Sequence, residues 1–457
     1  MRQFEAKDYE AVVQLRKVDR VAAMEMARDL EARFPDSRDA RMVYAWTLGG
    51  LHEFARAIAQ YRRAAELGTT GTIEQALAVN HRKLGNYRES ADHLVRAMCL
   101  ADATVTTRAL ATNALQLAGD LAFARQVSHT DPAHPPSPVL DFARWLVDFH
   151  SPQRRQGWRD RLLSSEAYAD QALRFWQRYD VHPLIRIDHK DRLAELLAAG
   201  SSPTPAWWPE TYSLPGQSQA ARQALAADPA AAWVVKSPRL AGTQRVFTLR
   251  GAEGLDGIDT PAVVQRYIDP PFLYEGRKVN IRLHVSVTAP FRQAARLWHD
   301  GLVFISTDAY ANATHGSRFV NPLSADQAAL QSPVGEFAAP GVGLNEFLAT
   351  AIPEARRRPL REAIHALVSG LIDRMEDAGL FADMRAIPGS AGVPPTFFGI
   401  DIGLDADLKP WLFEAEIDPG HGLGSPATAA VWRRFRADWL PLALGHPTAV
   451  RSHFVAV

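Results

Sequence analysis

The sequence predicts a multidomain α + (α+β) fold, an N-terminal α-helical solenoid followed by a domain with antiparallel sheets. Three observations predict it. Small and aromatic residues recur with a period of 33 to 34 through the first 130 positions. The prolines of DPAHPPSP (131–138) then break the helical texture. Beyond residue 181, two-residue alternation takes over, most clearly in 278–288 and 397–416.

The repeats come first. Phe54, Ala57, Tyr61 and Ala64 are echoed by Tyr87, Ser90, Leu94 and Ala97, 33 residues on. Gly119, Leu121 and Ala124 follow Gly85, Tyr87 and Ser90 by 34, and Ala23, Ala27 and Leu30 precede Ala57, Tyr61 and Ala64 by 34. Small residues at that period let paired helices touch, and the stretch from 3 to 130 resembles tetratricopeptide repeats. A generic stack of helical hairpins gives the same architecture. The expected division is 1–130 for the repeats, 131–180 for a proline-rich linker and helical connector anchored by Trp145, Phe149, Trp158 and Trp176, and 181–457 for the α+β domain.

Composition limits the function. The chain has 457 residues, 47% hydrophobic and 22% charged, with Lys+Arg and Asp+Glu equal at 51. That balance offers nothing to nucleic acid or to an anionic membrane, and no apolar run is long enough to span a bilayer. The single cysteine, Cys99, sits in an apolar helical pattern and reads as a small core residue. Without disulfides or a secretory signal, a reducing, cytoplasmic setting is expected.

The stretch 397–416, FFGIDIGLDADLKPWLFEAE, carries the chemistry. Phe398, Ile400, Ile402 and Leu404 form one strand face. Asp401 lies on the other, between Gly399 and Gly403, which leaves the space beside it open. Glu414 and Glu416 share a face of the returning strand, and the DAD turn with Pro410 brings Asp401 beside Glu414. Three such carboxylates repel one another unless a cation neutralises them, and oxygen ligands without His or Cys favour magnesium. A surface hairpin with solvated acids is the plainer alternative, and the apolar strands around the acids argue against it.

Residues 278–288 alternate Val279, Ile281, Leu283, Val285 and Val287 with Lys278, Asn280, Arg282, His284 and Ser286. A wet outer face has the same pattern, but Lys278 and Arg282 suit a cleft that holds phosphates through charge-assisted hydrogen bonds. Lys236 ends a short apolar strand and precedes the small-residue loop SPRLAG, and VVQRYI (263–268) reads as a buried strand. Most histidines are scattered without metal spacing. His284 alone shares the face of Arg282. The arginine runs at 154–155 and 356–358 read as solvated helix faces, and the tryptophans of the middle segment as interdomain packing.

Five ordered segments carry a resemblance: HKDRL (189–193), PETYSLP (209–215), WVVKSP (233–238), VVQRYIDPPFLYEGRKVNIRLHVSVT (263–288) and FGIDIGLDADLKPWLFEAEIDP (398–419). Together they resemble the tubulin-tyrosine-ligase-like family of the ATP-grasp superfamily. The resemblance implies an ATP-grasp domain that uses ATP and Mg2+. It implies Lys190, Lys236, Lys278 and Arg282 as cations at the phosphates, with Arg282, Lys236 and Lys278 the catalytic set. It implies Gln265, Arg266 and Tyr267 beside adenine, Asn321 at the nucleotide, and Asp401, Glu414 and Glu416 as metal ligands. Three positions depart from the family. Glu416 stands where it has Asn, Asn280 where it has Asp, and its Arg-Gly-Arg-Gly loop is reduced to Arg239-Leu240-Ala241-Gly242.

By resemblance the chain is an ATP-dependent carboxylate–amine ligase that adds an amino acid to a protein or peptide through an acyl phosphate. The repeats are expected to dock that acceptor. Two alternatives share these residues: a nucleotide-binding scaffold without turnover, and an ATP-grasp ligase acting on small molecules.

Overall fold

The computed structural model describes residues 4–129, 136–176, 182–199, 203–239, 246–258, 261–288, 291–310, 341–390, 393, 395–417, 419, 426–445 and 453–457. Its first part is a run of helices, α1 (Ala6–Val18), α2 (Arg20–Arg33), α3 (Arg38–Gly50), α4 (Phe54–Glu66), α5 (Gly71–Lys83), α6 (Tyr87–Met98), α7 (Val105–Leu117) and α8 (Leu121–His129), each packed on the next. The expected contact residues Ala23, Ala27, Leu30, Ala57, Tyr61, Ala64, Ser90, Leu94, Ala97 and Ala124 are all buried. The period also appears where the sequence reading did not look for it. Ser37, Thr70 and Thr104 accept backbone N–H bonds at the starts of α3, α5 and α7. His52, Gly85 and Gly119 take left-handed backbone in the turns that follow these helices, with φ of 59°, 78° and 85°. A histidine in that conformation costs about 1 kcal/mol that glycine does not. Cys99 corrects an expectation. Helix α6 ends at Met98, so Cys99 lies past the apolar face and is exposed.

Three connector helices follow, Pro138–Val147, Pro152–Leu162 and Glu166–Trp176. Leu140, Phe142, Trp145 and Trp176 enter one apolar cluster with Trp298, Phe397, Trp432 and Trp439. The middle tryptophans therefore join the connector to the C-terminal part, as expected. Of the proline segment 131–138, only 136–138 is among the described residues, and Pro138 opens its helix at the first turn, where a missing N–H costs nothing.

Two antiparallel sheets make up the rest. The smaller contains β1 (Thr211–Leu214), β2 (Trp233–Lys236), β3 (Phe247–Leu249) and β4 (Ala262–Arg266) in the order β1-β4-β2-β3. The larger contains β5 (Leu273–Tyr274), β6 (Arg277–Val287), β7 (Arg296–Trp298), β8 (Leu302–Ala309), β9 (Gly341–Gly343), β10 (Thr396–Leu404), β11 (Pro410–Glu416) and β12 (Phe454–Ala456). Its spine runs β11-β10-β6-β7-β12. Strand β6 is buried on both faces. Val279, Ile281, Leu283 and Val285 fill the core beneath helix Glu354–Asp377, and the polar alternates point the other way.

The repeats are welded to this core. Phe54 and Leu117 belong to the same buried cluster as Ile281 and Leu371. At the end of α7, Gln116 Nε2 donates to Gly389 O at 2.7 Å and Gly389 N donates to Leu117 O at 3.3 Å. A Cβ on Gly389 would come within 1.8 Å of Gln116 O, so only glycine admits this approach.

Candidate functional site

The hairpin β10–β11 forms as expected. Asp405 holds its turn by accepting from Asp407 N, Lys409 N and Trp411 Nε1. The register pairs Asp401 with Glu414 and Gly399 with Glu416, with an irregularity between Asp401 and Ile402. On its other side β10 pairs with β6 and sets Asp401 opposite Arg282. Carboxylate oxygens of Asp401, Glu414 and Glu416 lie within 4.8 Å of one another.

Cations neutralise this cluster from two directions. Arg282 donates in parallel to Asp401, Nε to Oδ1 and Nη2 to Oδ2, both at 2.8 Å, and its Nη2 is 2.9 Å from Glu416 Oε2. Lys190, the first residue of helix Lys190–Ala198, reaches Glu414 Oε2 at 3.2 Å. Its backbone N–H donates to Pro238 O at 3.0 Å, which ties the Lys190 segment to the one that follows Lys236. Burial works against the Glu414 charge, but Lys190, Lys236 and Arg282 outweigh it and hold the carboxyl at about 2. Glu416 goes the other way. Burial pushes it up to about 8, Asp401 and Glu414 add to the push, and Arg282 only partly offsets them. A hard divalent cation would relieve this repulsion, and an all-oxygen donor set suits magnesium, so these three residues fit such an ion.

The smaller sheet faces the acids. Lys236 Nζ donates to Gln265 Oε1 at 2.8 Å and to Phe413 O at 3.3 Å. Lys278 Nζ sits 4.7 Å from the Tyr267 ring centre and 6.0 Å from that of Phe413. Burial lowers Lys236 to about 8, and burial with the nearby Lys236 lowers Lys278 to about 7. Between the sheets, Lys236, Gln265, Tyr267, Lys278, Leu404 and Phe413 line a slot of about 40 Å³, room for a few waters.

The structure thus brings Lys190, Lys236, Gln265, Tyr267, Lys278, Arg282, Asp401, Glu414 and Glu416 together. Arg266 lies on the same strand, but its guanidinium turns to Asp228 at 2.6 Å and Glu210 at 3.7 Å. Asn321 and residues 240–242 of the loop lie outside the described residues. His284 shares a strand with Arg282 yet lies under Trp432 and Phe435, with ring centres 4.9 and 4.6 Å away, fully buried among aromatic side chains.

The space beside Asp401 is not open. A Cβ on Gly403 would lie 2.3 Å from the Phe413 ring, and one on Gly399 would lie 2.8 Å from Pro419. The two glycines admit these rings, and Phe413 thereby forms the floor under both lysines. Sequence reasoning missed Phe413, because an aromatic on an alternating strand reads as core. It also missed His52, Asp188 and His189, whose ligand-type atoms lie within 4.8 Å of one another beside Lys190. His52 comes from the α3–α4 turn, where Glu53 also reaches Arg239 at 3.2 Å. No periodicity marks a contact between residues so far apart in the chain.

Residues 172–320 match the tubulin-tyrosine ligase family. The C-terminal half carries a tubulin-tyrosine ligase family domain. The chain is 26% identical to the tubulin monoglutamylase TTLL4 of Homo sapiens over 251 residues, 52% of this chain and 20% of that protein. It is 30% identical to the tubulin polyglutamylase TTLL7 of Mus musculus over 182 residues, 35% of this chain and 19% of that protein. It is 26% identical to the tubulin polyglutamylase ttll-4 of Caenorhabditis elegans over 245 residues, 51% of this chain and 40% of that protein. The matched stretch thus spans a fifth of the two mammalian relatives and less than half of the nematode one. In the ligase-family domain the family match covers both walls of lysines and Arg282, and the β10–β11 acids come after it.

Proposed function

We propose that the chain is an ATP-dependent carboxylate–amine ligase that joins an amino acid to a protein or peptide carboxylate. The observation that carries this reading is the facing of three clustered carboxylates by Lys190, Lys236, Lys278 and Arg282 across a slot between two antiparallel sheets. The acids fit magnesium, which would supply charge compensation to phosphate oxygens. Gln265 orients the Lys236 ammonium. Lys278, poised near neutrality over Tyr267, gains its proton when a phosphate approaches. Arg282 keeps Asp401 fixed through two parallel hydrogen bonds.

In the reaction, an acceptor carboxylate oxygen attacks the γ-phosphorus of ATP, and ADP leaves. The donor amine then attacks the acyl carbon and loses a proton, and inorganic phosphate leaves as the amide forms. The lysines stabilise charge on the transferred phosphoryl group. Closure of the slot excludes water from the acyl phosphate. The names of the relatives make glutamate the first donor to try and tubulin the first acceptor. A cavity of about 570 Å³ between Leu48, Leu51 and Arg56 of the repeats and Lys236 and Arg239 of the domain supports docking of the acceptor there.

Incubation of cell lysate with the protein, ATP and isotopically labelled amino acids, followed by intact-mass spectrometry, tests this reading. A discrete labelled mass increase on one protein, with matching ADP release, is expected. ADP release with free amino acids alone would shift the acceptor to a small molecule. Nucleotide binding without ADP release under any acceptor would overturn the ligase.

A further inference from the structure

A second cavity, of about 750 Å³, opens where the connector helices meet the far end of the larger sheet. Trp145 and Phe149 of the connector form one wall, Arg155, Gln156 and Arg159 of helix Pro152–Leu162 a second, and Leu442 with its neighbours a third. Thr288 and Pro395 close it below, at the ends of β6 and β10 away from Arg282 and Asp401. At ~3.4 Å per residue that is about 20 Å from the carboxylates.

Its chemistry is one-sided. Two arginines a helical turn apart line it, and among the described residues no carboxylate does. Arg155 was expected on a solvated face. Instead it lies half-buried with its guanidinium 4.0 Å above the Trp145 ring. Arg155 has no ion pair among the described residues, and its Nε finds no acceptor. Arg159 donates through Nη1 to Gly445 O at 3.1 Å, and its Nε lies 3.8 Å from the exposed Asp160 Oδ1. Trp145 Nε1, in a side chain that is almost fully buried, is another donor without an acceptor among the described residues. Buried donors are ordinarily satisfied, and like charges at this spacing repel. Two arginines this close, one of them without an ion pair among the described residues, therefore favour an anionic occupant.

We propose that this cavity binds a small organic anion, a carboxylate or phosphate group carried on an apolar body. The acid group pairs with Arg155 and Arg159, and the body lies against Phe149 and Leu442. The volume is that of a small-molecule site. The site is separate from the acids of β10–β11 and does not depend on the ligase reading.

Fluorescence titration of the full chain with 8-anilinonaphthalene-1-sulfonate, a sulfonate on an aromatic body, tests the proposal. One saturable site is expected. Arg155→Gln and Arg159→Gln should each weaken it at least ~10-fold, the worth of a charge-assisted hydrogen bond. Gln156→Trp, an exposed position whose larger ring fills the cavity without touching the core, should abolish it. Arg358→Gln, exposed on another helix, should leave it unchanged. Competition by inorganic phosphate marks recognition of the acid group alone, and competition by 3-phenylpropionate but not phosphate marks recognition of acid and body together. Either supports the site. Absence of saturable binding, or equal binding in the wild type, both arginine variants and Gln156→Trp, would overturn it.

Discussion

Arg282 and Asp401, 119 positions apart in the chain, meet side by side on adjacent strands through two parallel 2.8 Å hydrogen bonds. Both are almost fully buried, and the same guanidinium also serves Glu416. Removing one partner strands the other. Asp401→Asn should therefore cost about 3 kcal/mol or more in urea denaturation. The double variant Asp401→Leu/Arg282→Met should cost less than the sum of its singles. Additive losses would show that the pair is not coupled.

Glu414 bonds to Lys190 and lies among three cations, so its removal leaves those cations short of a counter-charge as well as emptying a metal-ligand position. Glu414→Gln should abolish ADP release while the protein still folds, with a lowered unfolding midpoint. Full turnover in that variant would refute its place among the metal ligands.

Lys278 is held near 7 by burial and Lys236, well below its unfolded value. The folded state then binds fewer protons than the unfolded state between about pH 7 and 10.5, so this residue's cost to stability shrinks as pH rises. Lys278→Met should stabilise the protein by about 1–4 kcal/mol at pH 7 and by less at pH 9. Nucleotide binding at pH 8 should take up a proton in the wild type. Calorimetry in buffers of different ionisation enthalpy reads that uptake, which Lys278→Met should reduce.

Gly403→Ala places a methyl group within the Phe413 ring. The ring must move, and it forms the floor beneath Lys236 and Lys278. A fluorescent ATP analogue should bind about tenfold more weakly to this variant, with Glu414 chemistry untouched. Unchanged affinity would mean that the floor is not part of the slot.

Much of the site was legible because it is local. The alternation in 397–416 puts Asp401 opposite Glu414, and the hairpin keeps that pairing because Asp405 ties its turn. The alternation of β6 likewise aligns Lys278 and Arg282. What the sequence could not give is which strand lies beside which. The β6–β10 pairing makes Arg282 the partner of Asp401 as well as a candidate phosphate ligand, and no short-range pattern encodes a register across so long a separation. The glycines misled for a similar reason. A missing side chain reads as empty space until the neighbour that fills it, Phe413 or Pro419, is known. Cys99 misled because one residue past a helix end changes the face a side chain takes.

Gly389 has a consequence for anyone who would dissect this chain. The backbone of the repeats presses into that loop so closely that no other residue fits, and Phe54 and Leu117 share a core with the C-terminal sheets. A fragment starting after the proline segment would lose a wall of its own interior, together with the turn that steadies His189 and Arg239. Such truncations should aggregate rather than act as a minimal enzyme, so loss of activity in them says nothing about recruitment.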